Sequence, residues 1–230
     1  NFAHLMSRDY FKFINHDITK PLVGAGKIDF IIHGASIASP IFYRKYPIQT
    51  MDVNTMGARN LLELARENNV KGFLLMSTSE IYGNPPRDKV PTTEDYWGNV
   101  SCIGPRACYD ESKRFAETMT MNFFRQHGVP AKISRTFNCF GPKMLLTDKR
   151  VIPDFMSCVL DDKNIGLLSD GKASRTFCYV TDNVRPHLEL LLSDSTAGEI
   201  FNIGNDSPEI TVSELADRVI AASGKNLGVV

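Results

Sequence analysis

Residues 72–77 read Gly72-Phe73-Leu74-Leu75-Met76-Ser77, an almost wholly apolar run. A strand that is covered on both faces has this composition, because neither face meets water. The run leads directly into the more polar segment Thr78-Ser79-Glu80-Ile81-Tyr82-Gly83. We therefore predict a buried parallel strand with functional side chains at its carboxyl end, since ligands bind beyond the carboxyl ends of strands in open parallel sheets.

Segments on both sides repeat an alternation of strands and helices. Before this strand, residues 30–33 are predicted as a strand, and apolar positions recur at helical spacing between Pro47 and Asn68. After it, a helix is predicted from about Arg106 until Gly128 ends it, followed by a strand at residues 131–135. This alternation is typical of parallel sheets with helices on both faces. The sequence therefore predicts an α/β fold with a Rossmann-type doubly wound parallel sheet.

The amino-terminal segment does not supply a phosphate-binding turn. Residues 11–15 alternate and are rich in β-forming side chains, which predicts a strand. Gly24-Ala25-Gly26-Lys27 precedes a strand instead of following one, so we predict a plain turn. The chain contains no Gly-x-x-Gly-x-x-Gly turn. We therefore expect the first strand and the Gly-rich loop of the fold to be missing from this chain, in a segment of about 30 or more residues before Asn1.

The alternation loosens after Pro142 and predicts a second, smaller unit. A capping-box pattern, Thr211-Val212-Ser213-Glu214, opens the last predicted helix. The other elements predicted in this part are helices at 151–160 and 181–192 and strands at 165–168, 176–180 and 200–203. We divide the chain into a Rossmann-type domain at 1–145 and an incomplete carboxyl-terminal domain at 146–230.

Composition and charge exclude several classes of protein. Acidic and basic residues balance at 26 each, so no overall field attracts nucleic acid or an anionic membrane surface. No apolar run reaches the roughly 18 residues that a membrane-spanning helix needs. The five cysteines are odd in number and lack metal-site spacing, which favours free thiols in a reducing compartment. The sequence thus predicts a cytoplasmic protein with no nucleic-acid partner, no membrane partner and no metal site.

Tyr109 and Lys113 are four residues apart at the head of a predicted helix and therefore share one face. A nearby lysine charge would favour the phenolate and make Tyr109 a base near neutral pH. The spacing alone is weak, because two common residue types also recur at it on solvated helix faces. Thr78, at the preceding strand end, completes a proton-transfer set in which tyrosine deprotonates a substrate alcohol and the hydroxyl binds the same oxygen. This proton transfer is useful only if a hydride leaves the same carbon, which implies a nicotinamide cofactor.

Longer blocks resemble a known family. They are residues 78–83, Glu94-Asp95-Tyr96-Trp97-Gly98-Asn99-Val100, residues 104–113 and Phe137-Asn138-Cys139-Phe140-Gly141-Pro142. On these blocks the chain resembles the extended short-chain dehydrogenase/reductases that act as NAD-dependent nucleotide-sugar epimerases, dehydratases and decarboxylases. Within that family it is similar to the UDP-glucuronate decarboxylases, also called UDP-xylose synthases. The similarity runs through essentially the whole chain.

The resemblance implies catalytic roles for five residues. Tyr109 would be the base in oxidation of the sugar at C4, and Lys113 would lower its pKa and hold the nicotinamide ribose. Thr78 would hydrogen-bond the C4 oxygen, and Ser79 and Glu80 would flank the sugar around C5.

The resemblance also implies contacts to two ligands and a partner. Contacts to the nucleotide sugar, expected to be a UDP-sugar, would come from Tyr43, Thr78, Asn138 and Arg175. Contacts to NAD would come from Asp17 and Ile18 at the adenine, from Ala35 and Ser36 at the turn that passes the pyrophosphate, and from Asn54, Ser77, Tyr109 and Lys113. The second domain would bind the nucleotide sugar. Helices around 54–68 and 106–127 would form a homodimer.

Other roles remain open for three of these residues. Asn54 could instead cap the start of a helix. Glu80 could cap the turn after it. Arg175 could be an exposed strand residue whose charge is solvated.

The substituent at C5 decides which reaction succeeds the oxidation at C4. A carboxylate there makes the 4-keto sugar a β-keto acid, which loses carbon dioxide. A 4,6-dehydratase instead uses an aspartate acid at the position of Ser79, and serine is a poor general acid. We therefore favour decarboxylation of UDP-glucuronate to UDP-xylose. A UDP-sugar 4-epimerase remains an alternative, a dTDP-glucose-type 4,6-dehydratase is disfavoured, and a non-catalytic NAD-sensing or scaffold protein of the same fold is the alternative outside enzymes.

Overall fold

A computed structural model describes residues 2–230 of the chain. Its strands are β1 (Phe30–His33), β2 (Gly72–Thr78), β3 (Ala131–Thr136), β4 (Cys139–Phe140), β5 (Ser174–Arg175), β6 (Cys178–Tyr179), β7 (Ile200–Ile203) and β8 (Ile210–Thr211). Its α-helices are α1 (Pro40–Lys45), α2 (Pro47–Asn68), α3 (Ala107–His127), α4 (Val151–Leu160), α5 (Val180–Leu192) and α6 (Val212–Ser223). A 3₁₀ helix at Ser79–Tyr82 comes directly after β2.

The main sheet is parallel and runs in the order β1, β2, β3, β7. Side chains of β2 are buried on both faces, apart from the half-buried Met76, as the apolar run at residues 72–77 predicts. Because the strands run in one direction, their carboxyl ends meet along one edge, where Thr78 is in register with Thr136. The predicted fold class is confirmed.

The two faces of the sheet are covered by different helices. On one face, α2 and α3 pack against each other and cover Phe73 and Leu75, with Leu62 of α2 in the same core. On the other face, Leu74 packs against Leu190 of α5. Successive side chains of a strand point to opposite faces, so the apolar run at 72–77 supplies both cores.

A second core lies outside the main sheet. Phe155 and Val159 of α4 pack with Leu215 and Ala216 of α6, and Ile165 joins them. These residues all belong to the part predicted as the carboxyl-terminal domain.

The chain returns to the main sheet after the predicted domain boundary at 145/146. β7 pairs with β3, with Ile133 in register with Ile200, and α5 covers the adjacent face. A parallel strand must be reached through a long crossover, and residues 137–199 provide it. Residues 180–203 therefore pack with the main sheet. For the segments that form the second core, a separate domain after residue 145 stays a prediction.

The capping box at the start of α6 is present. The Thr211 hydroxyl accepts the Glu214 N–H at 3.1 Å, and the Glu214 carboxylate accepts the Thr211 N–H at 2.7 Å. Gly224 then ends the helix with φ of 67°, a conformation that glycine adopts without steric cost.

Three strands predicted from local patterns are wrong or reduced. Of the strand predicted at 176–180, only Cys178–Tyr179 (β6) forms. The segment at 11–15 is irregular, because no strand within residues 2–230 lies beside it to share its backbone hydrogen bonds. The strand predicted at 165–168 is a single bridge between Ile165 and Val229. By contrast, β1, α2, α4 and β7 have the predicted bounds.

Among residues 2–230, none of the helices has the length and apolar character that crossing a membrane requires.

Candidate active site

A cavity of about 530 Å³ opens at the carboxyl edge of the sheet. The ends of β2 and β3, the loop after β1, α1 and the starts of α3 and α4 contribute to its wall. The predicted site residues that line it are Ser36, Tyr43, Ser77, Thr78, Ser79, Glu80, Tyr109, Lys113 and Asn138. The fold therefore brings residues from distant parts of the sequence into one site.

Tyr109 and Lys113 are fixed at the wall of this cavity, at the start of α3. The Tyr109 ring stacks on the ring of Tyr43 from α1, with centroids 5.1 Å apart and planes 11° apart. The Lys113 Nζ lies 6.0 Å from the centre of the Tyr109 ring and donates to the Met76 carbonyl at 2.8 Å. The two residues are only 6% and 4% exposed. This burial excludes the alternative of a chance pair on a solvated helix face.

The environment of Tyr109 differs from the sequence expectation. Burial raises the pKa of its phenol above the usual value, while the Thr78 hydroxyl and, more weakly, the Arg150 charge lower it. The expectation that Lys113 makes Tyr109 a base near neutral pH stays a prediction, and the raised pKa of the phenol acts against it in the chain alone. Loss of water around the phenol outweighs the neighbouring charges.

Lys113 is itself strongly affected by burial. Desolvation lowers the pKa of its ammonium to about 8, and the Glu117 carboxylate offsets part of this. An ammonium carries three N–H donors, and the Met76 carbonyl takes one of them. Lys113 thus has donors for a ligand in the cavity that it lines.

The end of β2 presents Thr78, Ser79 and Glu80 to the cavity. The Thr78 oxygen accepts the Glu80 N–H at 3.2 Å and so caps the 3₁₀ helix. The Glu80 side chain does not cap the next turn, which was the alternative; its carboxylate forms an ion pair with Arg106.

A buried polar bridge connects the loop after β1 to α2 and α3. The Asn54 Oδ1 accepts the Ser36 hydroxyl at 2.7 Å, and the Asn54 Nδ2 donates to Ser112 at 2.8 Å. Asn54 lies within α2, so the alternative of a helix N-cap is excluded. It does not line the cavity but holds Ser36, which does.

Besides Asn54, four residues with predicted binding roles lie outside the cavity lining: Asp17, Ile18, Ala35 and Arg175. Asp17 and Ala35 are exposed, and Ile18 is half-buried. Arg175 is exposed on β5, as its alternative role predicts, and donates to the adjacent Ser174 carbonyl. Their cofactor and diphosphate contacts stay predictions.

The rest of the lining had no individual role predicted from the sequence, although Gly34 and Ala38 belong to a loop of small residues at 34–39 that was expected at this site. The residues concerned are Gly34, Ala38, Pro40, Met76, Arg106, Thr136, Cys139, Phe140, Met144, Lys149, Arg150, Val151, Ile152, Pro153 and Phe177. Arg106 stands within the block at 104–113, but nothing local links it to Glu80. Lys149 and Arg150 precede α4, and a basic pair before an apolar helix was the one signal that could have marked them.

His33 ends β1 and is 2% exposed. Its Nδ1 has no hydrogen-bond partner within residues 2–230. Burial lowers its pKa to about 4, and the charge of Lys113 acts in the same direction.

We expect His33 to make the protein sensitive to acid. Its pKa is about 4 in the folded chain and ordinarily 6.5, so the unfolded chain takes up the proton first. Stability is then lost as pH falls below 6.5 and levels off below 4, with a total loss of about 3 kcal/mol. Urea unfolding of the native protein and of His33→Gln, from neutral pH downward, measures this. The native protein should lose more stability than the variant, and parallel curves would contradict the prediction.

Comparison with known proteins places the chain in a family. The sequence profile of the NAD dependent epimerase/dehydratase family matches residues 3–204. The chain belongs to this family. The resemblance carried by the blocks at 78–83, 94–100, 104–113 and 137–142 is thereby confirmed.

Members of the NAD-dependent epimerase/dehydratase family that are similar to this chain include proteins of known activity. UDP-glucuronic acid decarboxylase 6 of Arabidopsis thaliana is 44% identical over 209 residues, which cover 91% of this chain and 59% of the relative. The chain spans between 47% and 59% of the length of its curated plant relatives of this kind.

Solved structures of family members share the fold. UDP-glucose 4-epimerase from Thermotoga maritima, with UDP-glucose, is 26% identical with a TM-score of 0.76, covering 88% of this chain and 64% of that chain. dTDP-glucose 4,6-dehydratase from Bacillus anthracis, in complex with NAD, is 25% identical with a TM-score of 0.73, covering 88% of this chain and 60% of that chain.

Proposed function

We propose that this protein is an NAD-dependent nucleotide-sugar enzyme that oxidises the sugar at C4 and decarboxylates UDP-glucuronate to UDP-xylose. The observation that carries the proposal is the placement of Thr78, Ser79, Tyr109 and Lys113 around one cavity. The similarity to UDP-glucuronic acid decarboxylases supports the choice of substrate.

The residues of the cavity fit the nicotinamide half of NAD. Lys113 has N–H donors beyond the one that Met76 accepts, and ribose hydroxyls suit such donors. Ser36, from the loop of small residues after β1, lines the same cavity. When bound, NAD would accept a hydride from the sugar and later return it.

Tyr109 would move the proton that accompanies this redox change. It would take the proton from the C4 hydroxyl and give it back when the ketone is reduced. The Thr78 oxygen accepts the Glu80 N–H, which leaves its O–H to donate to the C4 oxygen. The raised pKa of Tyr109 favours return of the proton.

Ser79 favours decarboxylation over dehydration. Expulsion of a C6 hydroxyl needs a group that protonates it, and a serine hydroxyl is too weak an acid for this. Carbon dioxide leaves a β-keto acid without being protonated. Decarboxylation therefore requires no proton donor at Ser79, which would make only a polar contact. Glu80, paired with Arg106, lies beside Ser79 and would face the C5 region.

A panel of nucleotide sugars tests the proposal. The native protein should convert UDP-glucuronate to a pentose nucleotide with no net NADH, while UDP-glucose should give no 4-keto-6-deoxy product. Accumulation of UDP-galacturonate from UDP-glucuronate would assign the protein to the 4-epimerases instead.

A homodimer through α2 and α3 is part of the proposal. These helices pack side by side, and their outer surface carries exposed Met56 and Phe115. Phe and Met are enriched in protein interfaces, so these side chains suit a contact with a second copy of the chain.

The Phe115→Glu substitution is expected to weaken this dimer at least about tenfold, because it places a charge in an apolar contact. Sedimentation velocity across a concentration series measures the change. Leu168→Glu is the control, since Leu168 is fully exposed and lies outside both helices. Equal dimerisation of the two variants would contradict the proposed interface.

A cytoplasmic location is also proposed. It rests on the five cysteines of the chain, which are free thiols in the structure and are stable as such in reducing compartments. Fractionation of cells that express the native protein tests it, and recovery with an oxidising compartment would contradict it.

A further inference from the structure

We propose that Glu117 is a positioning residue that keeps Lys113 charged beneath the cavity. The inference rests on the proposed function, in which the ammonium of Lys113 holds a ligand. It adds to the Thr78, Tyr109 and Lys113 set a residue that touches neither substrate nor cofactor.

Glu117 lies one helical turn after Lys113 on α3, so the two side chains share a face. Both residues are buried, with exposures of 7% for Glu117 and 4% for Lys113. Lys113 donates to the Met76 carbonyl and makes no ion pair within 4.0 Å to any carboxylate of residues 2–230. Glu117 therefore acts on the ammonium through space, which is effective where water is excluded.

A hydrogen-bond network fixes the carboxylate of Glu117. The Arg135 guanidinium approaches both oxygens, with Nη2 2.8 Å from Oε2 and Nε 3.1 Å from Oε1. The Ser77 hydroxyl donates to Oε1 at 2.5 Å. Ser77 immediately precedes Thr78, so the same network ties the carboxylate to the end of β2.

The network continues away from the cavity. Arg135 donates to the Tyr82 hydroxyl at 2.8 Å and to the Glu94 carbonyl at 2.7 Å. Tyr82 in turn donates to Asn202 of β7 at 2.8 Å. Arg135 is thus held in place by groups beyond Glu117, and together with Ser77 it fixes the Glu117 carboxylate one helical turn from Lys113.

Lys113 has few other sources of charge stabilisation. His33 faces it from β1 and is neutral above about pH 4, Tyr109 faces it from α3, and β2 offers the Met76 carbonyl. Glu117 is the carboxylate that raises the pKa of Lys113 against the effect of burial. Without it, a larger share of the lysine would be neutral at the pH of the cytoplasm.

The Glu117→Gln substitution tests this inference, because the amide has nearly the same shape but no charge. Titration of Lys113 by NMR, with lysine labelled at Cε, should show its pKa lowered by about one unit. The alkaline limb of the pH profile of kcat should shift by the same amount, giving an approximately tenfold loss of turnover at alkaline pH and little loss at acid pH. KM for the nucleotide sugar should stay near that of the native protein.

Matched variants separate this effect from a structural one. Glu117→Asp keeps the charge and should restore the native pH profile, whereas Tyr82→Phe disturbs the network beyond Arg135 and should leave the profile in place. If Glu117→Gln alone does not fold, the carboxylate is removed in an Arg135→Met background instead, and the pKa of Lys113 should be lower in Glu117→Gln with Arg135→Met than in Arg135→Met. An unchanged Lys113 titration in a folded variant overturns the inference. The titration needs no substrate, so the two proposals can fail separately. If the proposed function is wrong, turnover will be absent while the pKa of Lys113 still shifts in Glu117→Gln.

Discussion

Replacing Tyr109 with Phe is expected to lower kcat of the native protein by a factor of about 10²–10⁴, the usual contribution of a positioned acid–base group. The substitution removes the hydroxyl that would take the C4 proton. It keeps the ring that stacks on Tyr43 at 5.1 Å, so the fold and the cavity wall should persist. Steady-state turnover of UDP-glucuronate, with circular dichroism to confirm folding, measures the effect.

Tyr10→Phe is the matched control for this experiment. It removes the same kind of hydroxyl from a ring that is 80% exposed and lies outside the cavity, so turnover should not change. A folded Tyr109→Phe protein with turnover near the native level would show that Tyr109 is not the base. Unchanged biological activity of that variant would instead favour a non-catalytic protein of the same fold.

Replacing Arg135 with Met is expected to lower the free energy of unfolding by about 3–5 kcal/mol, because a buried ion pair that loses one partner leaves a charge unsolvated. The Arg135 and Glu117 side chains are only 8% and 9% exposed, with 2.8 Å between Nη2 and Oε2. The same change also removes the donor to the Tyr82 hydroxyl and the Glu94 carbonyl. Urea unfolding measures the loss.

Two variants give this stability experiment its controls. Arg185→Met breaks an ion pair whose arginine side chain is 83% exposed, and it should change stability far less because water already solvates both charges. Adding Glu117→Gln to Arg135→Met should recover much of the loss, since the lone carboxylate is gone. A single Arg135→Met variant as stable as Arg185→Met would mean that the buried network does not hold α3 to the sheet.

Elements with a strong local pattern could be predicted from the sequence, and their partners could not. β1 and α4 have the bounds that their apolar patterns predict. The bounds of β7 were also predicted. Its place beside β3 was not, because it depends on pairing between two strands that are far apart in the sequence. The segment at 11–15 shows the converse, because it has the pattern of a strand and no neighbouring strand within residues 2–230 to pair with.

Two rules predict part of the site: residues four apart share a helix face, and ligands bind at the carboxyl ends of parallel strands. Tyr109, Lys113 and Thr78 follow from those two rules, and the structure places them at one cavity. The pairing of Arg106 with Glu80 has no local pattern, since it joins positions that are distant in sequence. The rise in the Tyr109 pKa was not predicted for a related reason, because burial of the phenol is a property of the folded chain.

Release of the C6 carbon tests the proposed reaction most directly. The native protein is supplied with UDP-glucuronate that carries isotopic carbon in its carboxylate, and labelled carbon dioxide and pentose nucleotide are followed together. The proposed mechanism predicts that they form in step, with no net NADH, and that Tyr109→Phe slows both equally. Label retained in a hexuronate nucleotide, with no carbon dioxide released, would contradict it.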